Sequence, residues 1–179
     1  MPTAIVVLLL FLLPAPAQVK IDSTKQGVRD ILKDAEYALR RFQDLTAQVD
    51  LDAWKVPENI RATERETLRL NRAQVEDAKG TISRIEQSQA AVSSIDLLDI
   101  DETLATSAGL LDDLGYNTLN FQDQGSPNVS KASEANTLSI ELTRASATTD
   151  VTQVKLYAIL RQQIAAQEHE LVKCRTKSR

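Results

Sequence analysis

His169 and Cys174 are the only histidine and the only cysteine of this 179-residue chain, so they are the first candidates for metal binding or covalent catalysis. HELVK, residues 169–173, begins like the zinc-protease motif H-E-x-x-H but places Lys173 where the second zinc ligand belongs. A protonated lysine has no lone pair to offer a metal. On a helix His169 and Cys174 point about 140° apart, so they do not form a nucleophile–base pair. We therefore predict no catalytic residue, no metal site and no cofactor.

The acidic stretch between residues 96 and 113 is the second chemical candidate. DIDETL, starting at Asp99, imitates the start of a calcium-binding loop, but Leu104 replaces the required glycine and Leu110 the required glutamate. Two carboxylates can also perform acid–base catalysis when their surroundings separate their pKa values. An enzyme that uses this stretch is therefore an alternative function. Its carboxylates are Asp96, Asp99, Asp101, Asp112 and Asp113.

Arginines recur every four residues at Arg61, Arg65 and Arg69, which would align them on one helix face as a phosphate-binding strip. Glu64 and Glu66 alternate with them, and no aromatic residue interrupts the stretch. This pattern is typical of a solvated helix face with ion pairs between side chains. The net charge of −4 likewise gives no reason to expect nucleic acid as a partner.

The apolar run from Ala4 to Leu13 decides the compartment. It is much shorter than the ~20 residues that a membrane-spanning helix needs, so it is typical of a secretory signal peptide. Residues 15–17, Ala-Pro-Ala, match the small-x-small pattern of a cleavage site. We predict a signal peptide over 1–17, cleavage between Ala17 and Gln18, and a single exported domain over 18–179. The mature chain would be periplasmic or extracellular, without stable membrane insertion.

Composition predicts an all-α fold for the exported part. Five glycines and the two prolines that remain after cleavage, Pro57 and Pro127, are too few for the many tight turns of a β-protein, and aromatic residues make up only 4% of the chain. We expect an elongated antiparallel helical bundle or coiled coil of about three long helices with a small lobe of short helices. The long helices are expected at about 23–49, 57–93, 128–145 and 150–175, and the short-helix lobe at about 95–125. The poor helix formers at 146–150 suggest a stutter or break there.

Apolar residues that recur at steps of three and four predict the packing faces of these helices. Asn71 falls on one such row. A polar contact that fixes the register of the helices is one interpretation, but we expect Asn71 at a helix end or a wet stretch. The predicted helix-packing residues are Val28, Ile31, Phe42, Leu45, Leu68, Val75, Ile82, Ile85, Tyr157, Leu160, Ile164 and Leu171.

Cys174 continues the last of these rows and lies in the basic segment KCRTKSR. An odd cysteine in an exported protein either remains a thiol or joins two chains. Parallel packing of this helix in two copies would bring the two thiols together, so we predict either an intermolecular disulfide or a free thiol at Cys174.

Together these patterns predict an exported, non-enzymatic scaffold or assembly subunit that binds protein partners, or itself, through its helices. A leader, two long helices, a short-helix lobe and a long C-terminal helix are also similar in arrangement to minor pilus components of type IV secretion and conjugation systems. The resemblance lies in the order of elements, and it implies a pilus-type assembly role as an alternative function.

The leader prediction can be tested by N-terminal sequencing of the protein recovered from a secreting host. The exported chain should begin at Gln18. An Ala17→Arg variant should keep its leader, because signal peptidase requires a small residue there. An Ala17→Gly variant should be cleaved normally, and an exported wild-type chain that retains Met1 would contradict the prediction.

Overall fold

A computed structural model describes residues 25–52, 58–88, 92–123 and 129–177. These residues form four helices and no strand, so the predicted all-α fold is confirmed. They are α1 (Lys25–Thr46), α2 (Glu58–Gln87), α3 (Ser94–Asp123) and α4 (Val129–Lys177). The predicted leader over 1–17 and its cleavage site at Ala17 and Gln18 lie outside the described residues.

The four helices alternate in direction and form an antiparallel bundle. In each neighbouring pair, later residues of one helix contact earlier residues of the other, which is the arrangement that short connections favour. Helix α1 contacts both α2 and α4 and also reaches α3 across the bundle. The contacts that fix the directions are Thr46–Arg72 and Gln43–Lys79 (α1–α2), Asn71–Ser107 and Arg84–Asp96 (α2–α3), and Asp34–Lys155 and Arg41–Glu141 (α1–α4).

One continuous apolar core lies between the helices and receives the apolar row of every helix. Full burial of a single large side chain such as Phe42 stabilises the fold by roughly 1.5–3 kcal/mol. The largest fully buried side chains are Phe42, Leu32, Leu39, Leu45, Ile82, Leu97, Ile100, Leu104, Leu111, Leu114, Leu142 and Leu156.

Helices α3 and α4 make the most extensive contact, and polar groups cross it once per heptad. Residues of α3 seven positions apart meet residues of α4 that run in the opposite direction, and we call this series the α3–α4 ladder. Its contacts are Ser139 Oγ to Gly115 O (2.7 Å), Ser146 Oγ to Ala108 O (2.9 Å), Gln153 Nε2 to Asp101 Oδ1 (2.9 Å) and Ser94 Oγ to Gln163 Oε1 (3.4 Å). A repeat of seven is the spacing of two helices that wind around each other with a left-handed twist.

Gly115 allows the close approach at one end of the ladder. A Cβ at this position would lie 2.8 Å from Thr143 Oγ1 and 3.4 Å from the Ser139 carbonyl oxygen. The serine hydroxyl of Ser139 can therefore reach the Gly115 carbonyl directly, without an intervening side chain. Gly109, two turns earlier on α3, faces open space and has no such role.

The structure corrects the predicted short-helix lobe at 95–125. The region is a single 30-residue helix, α3, which makes four long helices instead of about three. Neither Gly109 nor Gly115 ends a helix, because Gly109 lies mid-helix and Gly115 serves close packing.

The two helical segments expected at 128–145 and 150–175, with a stutter or a break between them, form one continuous 49-residue helix, α4. Its core-facing row continues through the supposed break with Ser146, Thr149 and Thr152, all buried. Their hydroxyls bond to backbone carbonyls: Ser146 to Ala108 of α3, and the two threonines to carbonyls one turn earlier in α4. Helix α2, expected over 57–93, ends at Gln87.

Asn71 lies in the core rather than at a wet helix end, with only 2% of its surface exposed. Its Oδ1 accepts a hydrogen bond from Ser107 Oγ at 3.2 Å, while its Nδ2 has no hydrogen-bond partner among the described residues. An unpaired buried donor of this kind costs about 1–3 kcal/mol. Asn71 therefore aligns α2 with α3 at the expense of stability.

Gly115→Val should lower the free energy of unfolding by about 1–3 kcal/mol, because the added methyl groups force α3 and α4 apart. Gly109→Val is the matched control on the same helix. It should raise stability slightly, by about 0.3 kcal/mol, since valine forms helices better than glycine. Urea unfolding followed by circular dichroism measures both, and equal effects of the two substitutions would contradict the close approach at Gly115.

Candidate interaction surface

Helix α4 continues past the start of α3. Gln163 and Gln167 of α4 contact Ser94, the first residue of α3, and α4 runs on to Lys177. Residues 168–176 are all exposed. We call residues 168–177 the tip; at 1.5 Å per residue it extends about 15 Å.

Exposed apolar side chains continue from the bundle onto the tip along one side of α4. Tyr157 is 48% exposed, Ile164 42% and Leu171 64%. Leu98 of α3 is 50% exposed. It lies at the level of Tyr157, because Leu98 lies between Ser94 and Asp101 on α3 while Tyr157 lies between their partners, Gln153 and Gln163, on α4. Clustered exposed apolar residues mark sites of protein interaction. This outer α3–α4 face consists of Leu98, Val154, Tyr157, Ile164, Leu171 and Val172.

Tyr157, Ile164 and Leu171, predicted as helix-packing residues, are exposed on the single chain and do not belong to its core. Leu156 and Ile159 occupy the core beside Leu160, one position away from the predicted row. The apolar spacing of residues 157–171 does not continue the core-facing row of α4, because serine and threonine residues form that row earlier in the helix. The other predicted packing residues are buried: Val28, Ile31, Phe42, Leu45, Leu68, Val75, Ile82, Ile85 and Leu160.

Two opposite charges interrupt the outer α3–α4 face. Arg161 and Glu168, both exposed, lie seven residues apart and therefore on the same side of α4. Neither makes an ion pair within the described ranges, whereas Glu170 of the tip pairs with Lys173 at 2.8 Å. The face thus combines apolar rows with one positive and one negative side chain available to a partner.

Cys174 is exposed on the tip. It lies seven residues beyond Gln167, in the row of α4 that faces α3 inside the bundle. Cys174 is therefore displaced around the helix from the outer α3–α4 face.

The carboxylates of the alternative enzyme prediction lie in separate environments along α3. Asp96 pairs with Arg84 of α2 at 3.1 Å. Asp101 is buried and accepts a hydrogen bond from Gln153 at 2.9 Å. Burial raises the pKa of Asp101, and the hydrogen bond from Gln153 opposes that rise.

Asp99 lines a shallow cleft of about 310 Å³ between α2 and α3, together with Asp77 and Glu102. Asp112 and Asp113 are exposed further along α3. Burial raises the pKa of Glu64 on α2, and the charge of Asp113 adds to the rise. No cluster of three histidine, cysteine or acidic residues suited to a metal ion occurs in the described part of the chain.

The arginine strip on α2 is occupied by contacts within the protein. Asp52 bridges Arg61 and Arg65, and these hydrogen bonds and charges hold the pKa of its carboxyl below its usual value, Arg65 contributing most. Arg69 pairs with Glu66 at 2.6 Å. The strip therefore has the ion pairs that its spacing indicated, and its arginines already have partners.

Comparison with known proteins gives no match: no family model, no curated protein and no solved structure is similar to this chain. Within residues 25–52, 58–88, 92–123 and 129–177, no helix is long and apolar enough to cross a membrane.

Asp101→Asn should raise stability at neutral pH. A raised pKa means that the folded state binds the Asp101 proton more tightly than the unfolded state, so Asp101 favours folding less as pH rises past its ordinary value of 3.8. The asparagine carries no charge, and its Oδ1 can still accept the Gln153 hydrogen bond. Its advantage over wild type should therefore be largest at neutral pH, shrink as the pH falls toward 3.8 and be lost below that value.

Asp112→Asn, an exposed position on the same helix, is the control for the lost negative charge. Urea unfolding of the three proteins across this pH range measures the effect. An Asp101→Asn advantage that does not change with pH would contradict the buried carboxylate as its cause.

Proposed function

We propose that this protein is an exported, non-enzymatic helical scaffold or assembly subunit that acts through helix packing. The observation that carries the proposal is the outer α3–α4 face, which extends from the bundle onto the projecting tip. A protein partner, or a further copy of the chain, would cover this face.

Energetics favour a covered surface. Burying a leucine, isoleucine or similar side chain is worth roughly 1.5–3 kcal/mol, so leaving several of them in water at one place forgoes a large stabilisation. A row of apolar residues along a helix is the typical contact of helix-to-helix recognition. Nucleic acid would need a basic surface, but the net charge is acidic and the arginines of α2 are paired within the protein.

Export is proposed on the sequence of residues 1–17 alone. A periplasmic or extracellular location follows from cleavage of that leader, and it would place the helical bundle where other exported subunits assemble.

The two alternatives have less support. The resemblance to minor pilus components depended on a lobe of short helices, and the region is one long helix, α3. The enzyme alternative needs carboxylates that act together. Asp96 and Asp101 have separate partners and Asp112 is exposed, whereas Asp99 lies beside other carboxylates, Asp77 and Glu102, in a shallow cleft.

Ile164→Lys should weaken assembly in the cell that makes the protein, because a charge would replace an apolar contact in the middle of the outer α3–α4 face. We expect loss of at least about 1.4 kcal/mol, a tenfold weaker complex. Native gels of extracts from the source cells, probed for this protein, measure the effect.

Leu70→Lys is the matched control, since Leu70 is equally an exposed apolar residue but lies on α2. It should leave the complex intact. A wild-type protein that runs only as a monomer in these extracts, or equal effects of the two variants, would contradict the proposed function.

A further inference from the structure

We infer that the partner on the outer α3–α4 face is a second copy of this chain, packed antiparallel so that the tip of each copy lies against α3 and α4 of the other. The inference rests on the proposed function and names its partner. It is drawn from the order of charges and apolar residues along α4.

The exposed side of α4 carries its own row with steps of three and four, distinct from the row that faces the core. Val154, Tyr157, Ile164 and Leu171 are its large apolar members. Arg161 and Glu168 occupy the intervening steps. A helix with two such rows on different sides can pack in its own bundle and against another helix at the same time.

Charge complementarity selects the direction of the second helix. With a twofold axis between residues 164 and 165, Arg161 of each copy faces Glu168 of the other, which gives two reciprocal ion pairs. Three of the four large apolar members then face apolar residues of the second copy: Tyr157 meets Val172, Ile164 meets Ala165 and Leu171 meets Ala158. Val154, at the end of the paired region, meets Arg175. Alternation of this kind is how charges set orientation in paired helices.

The same axis explains the exposure of Leu98. In this arrangement Val172 of the second copy lies at the level of Tyr157, and Leu98 of α3 lies at that level too. The tip of the second copy therefore covers the groove between α3 and α4. The paired region runs from 154 to 175 and is about 33 Å long.

Parallel packing places like charges together, because Arg161 would face Arg161 and Glu168 would face Glu168. An antiparallel axis at residue 168 brings two Glu168 carboxylates together. Only the axis between 164 and 165 places Arg161 opposite Glu168 in both copies. It also separates the two Cys174 residues by about 28 Å along the helices, so they do not form a disulfide within the dimer.

Charge reversal tests the arrangement on purified full-length protein by sedimentation equilibrium. Arg161→Glu and Glu168→Arg should each weaken the dimer at least about tenfold, since each puts like charges together twice. The double variant Arg161→Glu/Glu168→Arg should recover wild-type association. Arg144→Glu, an exposed reversal on the α1 side of α4, should have no effect. Circular dichroism checks that every variant is folded.

Disulfide trapping supplies a second measurement in a Cys174→Ser background. Tyr157→Cys and Val172→Cys proteins should form a covalent dimer when mixed, and neither should do so alone. Dimers of Tyr157→Cys alone would indicate parallel packing and overturn the inference, as would single charge reversals that leave the dimer unchanged.

The two proposals fail differently. A monomeric purified protein whose complex in cell extracts is still lost on Ile164→Lys would overturn the second copy as partner and leave the scaffold function standing. A protein that is monomeric both when purified and in extracts would overturn both.

Discussion

The close contact between α3 and α4 is the constraint on which the rest of the structure depends. Serine hydroxyls of α4 reach backbone carbonyls of α3 at 2.7 and 2.9 Å, and Gly115 removes the side chain that would keep the helices apart. Each such hydrogen bond contributes only about 0.5–1.5 kcal/mol net. Together with the contacts of Asp101 and Ser94, which follow at seven-residue steps along α3, they join the two helices over their shared length. Helices α1 and α2 then complete the core with ordinary apolar rows.

This contact also determines which part of α4 remains open. The ladder pairs α4 with α3 only as far as Ser94, where α3 begins, while α4 continues to Lys177. On the side of α4 that faces α3 and the core, Leu156, Ile159 and Leu160 are buried, while Tyr157, Ile164 and Leu171 lie outside. The outer α3–α4 face is made of these excluded apolar residues.

The sequence predicts the fold where core residues are large and apolar, and misleads where they are small and polar. Val28, Phe42, Leu68 and Ile82 repeat with helical spacing, so the packing faces of α1 and α2 could be read directly. Ser146, Thr149 and Thr152 have low helix propensity and suggested a break, yet they are the core row of α4. The burial of Asn71 could not be predicted from its own segment, because it depends on Ser107, a residue of another helix.

An interface that repeats every seven residues is nearly unchanged when one helix shifts along the other by one heptad. Ser139 and Ser146 both lie opposite small residues of α3, Gly115 and Ala108, so these positions alone would tolerate the shifted alignment. Asp101 would not, because the slip would place Ser146 or Leu160 opposite its buried carboxylate in place of Gln153. Losing the amide donor from a buried carboxylate is costly. Asp101, which weakens the fold at neutral pH, therefore distinguishes the native alignment of α3 and α4 from alignments shifted by one heptad.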